Sequence, residues 1–178
     1  MEVGATLQKV SARQWMAEIE ETCALLGGIL AVINPAQYTA GLSCIREIGN
    51  RQNEIAKAEH LQELLEVWTS PYNVFSVMNN RNSPLHRDNG GAYSTMDLLT
   101  SVGEYRNGRF MVPGVGVEMS NRSGTVIALA GRVVRHGGKC DGERLCIAQY
   151  TRQNVYNKLG IAEPGWTSIQ NIINGTFV

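Results

Sequence analysis

The apolar residues of this chain change their period once, near residue 70, and that change decides the class of fold open to it. On the N-terminal side they recur every three or four positions, the spacing of helices with one buried stripe. From residue 72 they come in short runs separated by Gly and Asn, the texture of strands and tight turns. Helices first and strands afterwards argue against an alternating βαβ chain with a parallel sheet and for an α+β fold.

In the helical part, Ser11 is placed to cap a helix that carries Trp15, Ile19 and Cys23 on one face and ends near Gly27-Gly28. The apolar run Gly28–Ile33 reads as a short buried strand. Asn34-Pro35 then opens a second helix, with Asn as cap, Pro in the first turn, and Tyr38, Leu42, Ile45 and Ile48 inward. A third is expected from Gln52 to Trp68, burying Ile55, Leu61, Leu64, Leu65 and Trp68 and stopped by Ser70-Pro71.

Strands are expected at Val74–Met78, Tyr93–Ser101, Arg109–Val112, Val115–Met119, Thr125–Ala130, Val133–His136 and Arg144–Thr151. Arg106-Asn107-Gly108, Ser120–Gly124, Gly131 and Gly137–Gly142 supply turn chemistry between them. Seven or eight short strands in such a stretch indicate a sandwich or jelly roll, with the helices bracing one outer face. A chain of 178 residues is expected to form one domain, with 1–70 as helical support, 71–152 as β core and 153–178 as a C-terminal segment.

Composition narrows the function. Sixteen basic residues balance sixteen acidic ones, which excludes a polybasic binder held to nucleic acid mainly by bulk charge. The balance hides a gradient: residues 1–70 carry a net charge of −4 and residues 71–178 a net charge of +4. Twelve of the sixteen basic residues are Arg, whose planar fork suits carboxylates and phosphates. The longest apolar run, Cys23–Ile33, is too short to span a membrane, and no secretory leader is expected at the start. Four Cys without a CxxC pair fit a reducing compartment.

The chemistry gathers in the β half. His86 and Asp88 stand at i and i+2, where extended backbone points both side chains to one side. His136 closes an apolar run fifty residues later. Two imidazoles and a carboxylate on one face leave coordination positions open, the facial arrangement of non-haem Fe(II) oxygenases. The competing reading leaves both His as unrelated surface or core residues. Arg144 follows His136 by eight positions, and a turn at Gly137–Gly142 would return its strand beside His136. There its guanidinium could hold the distal carboxylate of 2-oxoglutarate, the alternative being a surface pair with Glu143 or Asp141. His60 is given no role.

These residues sit in segments that resemble one family. His86-Arg87-Asp88, Asn107–Pro113, Gly124–Ala130, Val134–Gly137 and Gly142–Tyr150 resemble the TET/JBP group of Fe(II)/2-oxoglutarate dioxygenases, particularly fungal members, over about residues 25–152. The resemblance implies a double-stranded β-helix (jelly-roll) core, with His86, Asp88 and His136 as iron ligands and Arg144 on 2-oxoglutarate. It also places Cys146, where relatives can carry Ser, and Arg81 near the co-substrate. Arg87, Asn89, Gly90 and Gly91 fall where substrate would enter.

By the same resemblance the partner is methylated duplex DNA, with O2 as oxidant and a nucleus as the place of work. The target base would flip out of the stack, with Arg81, Arg87, Arg106, Arg109 and Arg122 available to phosphates. 5-Methylcytosine is the leading substrate and N6-methyladenine the second. A protein or small-molecule hydroxylase and a cupin-like binding module without redox chemistry stay open as rivals.

Overall fold

A computed structural model of the protein describes residues 1–166 and 168–174. The chain divides into two compact units, Met1–Asn73 with the residues from Asn154 onward, and Val74–Gln153.

The first unit contains helices α1 (Val10–Glu18), α2 (Glu20–Ile33), α3 (Pro35–Asn50) and α4 (Leu61–Glu66). Two short helices follow late in the chain, α5 (Gln153–Leu159) and α6 (Ile169–Ile173). α1 begins one residue before Ser11, and its capping position, Lys9, makes no side-chain cap bond.

The expected strand Gly28–Ile33 is instead the second half of α2. Cys23, Leu26, Gly27 and Leu30 are its buried residues, a helical repeat that passes through the glycine pair without a break. Gly27 does not stop the helix but lets it approach a neighbour: a Cβ there would sit 3.1 Å from Pro71 Cδ. The Asn34 cap forms as expected, its Oδ1 accepting from Gln37 N at 3.1 Å.

The buried face of α3 is Gln37, Gly41 and Cys44 rather than the Tyr38–Leu42–Ile45 face, and Leu42 is exposed. Close approach again decides: a Cβ on Gly41 would lie 2.3 Å from Pro71 O. The long helix expected over 52–68 is a single 3-10 turn at Gln52–Glu54 and then the short α4. Between them Ile55 is extended and buried, Ala56 bridges Glu2, and Lys57 takes a positive φ of 59°. Burying Ile55 with Val3, Leu61 and Leu64 wins over helical continuity.

The second unit is one antiparallel sheet of six strands, β1 (Val74–Asn79), β2 (Ser83–His86), β3 (Asp97–Val112), β4 (Val117–Ser120), β5 (Thr125–Leu129) and β6 (His136–Tyr150). Two of them are long and paired along their length, Leu98 opposite Gln149 at one end and Met111 opposite Gly137 at the other. One half of this ladder is flanked by β1 and β5, the other by β2 and β4. This is the jelly-roll core of an α+β fold.

Two expected turns are therefore strand. Arg106-Asn107-Gly108 is a bulge inside β3, where pairing jumps from Arg106↔Asp141 to Arg109↔Lys139. The extra residue changes which side chains face inward: Asp97, Leu99 and Ser101 line the interior before it, and Phe110 after it. Gly137–Gly142 likewise lies inside β6. Its glycines serve close approach, since a Cβ at Gly137 would meet Ser83 O at 2.9 Å and one at Gly142 would meet Glu104 O at 2.7 Å. Val133 and Val134, expected as strand, form a turn on Ala130 O. β2 was not expected, and Tyr93–Met96 precede β3 rather than opening it.

Candidate active site

Antiparallel pairing of β2 with β6 sets His86 directly opposite His136. Asp88, two residues beyond His86, is held by its own N–H donating to Gly131 O at 3.0 Å. The three side chains converge, with His86 Nε2 3.3 Å from Asp88 Oδ1 and His136 Nε2 3.5 Å from Asp88 Oδ2. Their ligand atoms all lie within 4.8 Å of one another. The opposite ring nitrogens are engaged: His86 Nδ1 lies 2.7 Å from Pro84 O and His136 Nδ1 3.0 Å from Val134 O. A proton fixed on Nδ1 leaves the Nε2 lone pair for a cation. Phe110 stacks on His136, which is buried, while His86 and Asp88 are partly open.

The triad sits in the wall of a cavity of about 500 Å3. Arg144 lies in the same cavity but not by the expected route. It shares β6 with His136, and an even separation puts both on the inward face. Its guanidinium reaches back toward the triad, so that a Cβ on Gly138 would lie 3.4 Å from Arg144 Nη1. The segment between β1 and β2 fastens this part of β6: Arg144 N donates to Asn80 Oδ1 at 2.7 Å and Cys140 N to Asn82 Oδ1 at 3.0 Å. Arg144 Nη2 donates to Arg81 O.

Against this geometry stands one comparison. The sequence model of the TET/JBP family, the oxygenase domain of the 2OGFeDO superfamily, matches residues 5–153. The chain belongs to this family. No curated protein matches it. Enzymes of the superfamily use Fe(II) and 2-oxoglutarate, and this chain is a dioxygenase of that kind.

The residues present fit both groups. Two imidazoles and a carboxylate on one side of an open cavity are a donor set suited to Fe(II) with positions to spare. Arg144 is 5 % exposed, its Nε has no hydrogen-bond partner, and no carboxylate pairs with it among the described residues. A buried, unpaired guanidinium is costly, and a dicarboxylate in the cavity would pair with it.

In this TET/JBP-family oxygenase the other expected residues distribute as follows. Arg81, Asn89, Gly91 and Cys146 line the cavity with the triad and Arg144. Arg87 and Gly90 are not among the lining residues: Arg87 Nε donates to Val133 O, and Gly90 O accepts from Gln153 N. Arg106, Arg109 and Arg122 lie along a separate surface groove, Arg109 paired with Glu118 at 3.3 Å.

The sequence reading did not single out Asp97, Ser101, Phe110, Asn121 or Tyr150, which also line the cavity. Alternation along the expected strand Tyr93–Ser101 is the signal that could have found the first two. Burial, then the nearby Asp88 charge, pushes the Asp97 carboxyl up to about 7. Burial also raises the Cys146 thiol, while Ser101 and Arg144 pull it down.

Proposed function

We propose that this dioxygenase oxidises the methyl group of 5-methylcytosine in DNA, to the hydroxymethyl base and further. The reading is carried by the cavity: about 500 Å3 is a full ligand pocket, room for a five-carbon oxoacid and a pyrimidine side by side. Fe(II) with 2-oxoglutarate supplies oxidation of an unactivated C–H bond by O2.

The chain supplies geometry. His86, Asp88 and His136 would hold the metal at one wall, and Arg144 would hold the oxoacid and so fix which side of the metal faces substrate. A methyl inside the duplex is out of reach, so the nucleotide must swing out of the stack. Tyr150 offers a ring in the cavity wall, anchored by a hydroxyl contact to Ser76 at 3.1 Å, and Asn89 offers amide hydrogen bonds. The unit that carries the site holds ten basic against six acidic residues, a surplus suited to phosphates, and a nucleus is where such a substrate would be met.

The test is mass spectrometry of duplexes carrying 5-methylcytosine or N6-methyladenine after incubation with enzyme, Fe(II), 2-oxoglutarate and ascorbate. Hydroxymethylcytosine or a further oxidised cytosine is the expected product. Unchanged methylcytosine with verified metal occupancy overturns the reading. Loss of methyl from adenine with formaldehyde release, or succinate formed only with peptides, would move the substrate elsewhere.

A further inference from the structure

Around Arg144 the structure gathers hydroxyl groups that no family motif supplied. Ser101 is buried on β3 directly opposite Cys146 on β6, and both line the cavity. Asn121 Nδ2 donates to Ser101 Oγ at 3.3 Å, and Asn121 is itself fixed, its N–H donating to Gly108 O at 2.9 Å. One lone pair of Ser101 is thus occupied and its O–H proton is left to point away from Asn121.

What it can point at is limited. The Cys146 thiol lies against it, a weak acceptor whose pKa burial has raised. The Tyr105 hydroxyl lies beside it too, buried and completing no full hydrogen bond among the described residues. Of the donors brought together here, the Tyr105 hydroxyl and Arg144 Nε are buried without a partner among the described residues, which costs stability. Gly103 stands opposite Arg144 in the ladder with a left-handed φ of 127°, and a Cβ there would meet Glu143 O at 2.3 Å, so the two strands close up beside Arg144.

We propose that Ser101 is an oxoacid-binding residue, donating its hydroxyl proton to the distal carboxylate held by Arg144, with Asn121 and Tyr105 positioning it. The contact that a hydroxyl at position 146 could make is thereby made from the facing strand. The proposal rests on Arg144 being the oxoglutarate seat.

The experiment is calorimetric binding to the metal-loaded protein without O2, comparing 2-oxoglutarate with a 2-oxo monocarboxylate that lacks the distal group. Ser101→Ala should weaken 2-oxoglutarate about tenfold, the scale of a hydrogen bond to a charged group, and leave the monocarboxylate unchanged. Adding Cys146→Ser to Ser101→Ala should restore most of the loss, because the two positions face each other. Arg144→Ala should abolish the preference for the dicarboxylate. Wild-type 2-oxoglutarate affinity in Ser101→Ala, with Arg144→Ala still defective, overturns the role of Ser101 alone. Intact affinity in both variants would show the seat is elsewhere and take the reading of Arg144 with it. A fall for both ligands in Ser101→Ala, unrelieved by Cys146→Ser, also overturns the proposal, as a merely structural effect.

Discussion

Replacing Gly131 by Ala should damage the metal site without damaging the fold. Gly131 lies in the turn that carries the chain into β6, and its carbonyl holds Asp88 N–H at 3.0 Å. Its φ is not left-handed, so Ala fits the backbone. The added Cβ would lie 2.4 Å from Asp88 Oδ2 and 2.5 Å from Asp97 Oδ2, where side-chain carbons do not approach closer than 3.0 Å. Asp88 must therefore retreat by at least about 0.6 Å, and Asp97, buried on the other side, limits the alternatives.

Asp88 bridges toward both imidazoles, so that displacement is taken out of the ligand set directly. A disturbance of this order at a metal ligand costs about 10- to 100-fold in metal affinity. Overpacking of this kind costs roughly 1–3 kcal/mol in stability. Titration of the metal-free protein with Mn(II) or anaerobic Fe(II), alongside a thermal melt, separates the two. A Gly131→Ala protein that still melts cooperatively, within about 10 °C of wild type, and binds metal at least tenfold more weakly supports the geometry. Wild-type metal affinity would refute the packing of Gly131 against the two carboxylates.

Other consequences are equally direct. The Asp97 carboxyl is raised from 3.8 to about 7, so as pH climbs through that window the unfolded chain gives up a proton the folded protein keeps. Stability of the metal-free protein should therefore fall between about pH 4 and 7, and Asp97→Asn should flatten that slope in denaturant melts; an unchanged slope contradicts the burial of Asp97. Asn34→Ala removes the cap on α3 and the bond to Gln37, and should cost about 1 kcal/mol by chemical denaturation. Burial pushes Cys23 and Cys44 up to about 11. Both should resist alkylation at pH 8 in the folded protein and react once it is unfolded, and rapid labelling of either in the native state would disprove their burial.

What was legible in the sequence follows from what a local pattern can encode. His86 and Asp88 were readable because alternation on extended chain fixes their relation within three residues. The Asn34-Pro35 start was readable because a cap is local too. The faces of α2 and α3 were not, since Gly27 and Gly41 are placed by Pro71, a residue far along the chain. Glycine misled most in the β unit. Gly108, Gly137 and Gly142 have the composition of turns but stand where another backbone comes too close for a side chain. Reading them as turns cut two long strands into four. It also hid that His136 and Arg144 share one strand, and with it the corner around Arg144.

That His136 and Arg144 ride on a single paired strand has a consequence for how this enzyme can vary. A loop between them would let insertions come and go while the two ends kept their places. A strand acts as a ruler with a two-residue tick. Losing or gaining one residue between 136 and 144 would turn one of the pair to the outer face and separate the metal seat from the oxoacid seat at a stroke. The turn from Pro113 to Gly116, between β3 and β4, carries no such phase and is where length can drift. The most glycine-rich part of the chain, which looks the most permissive, is in this sense the part least free to change.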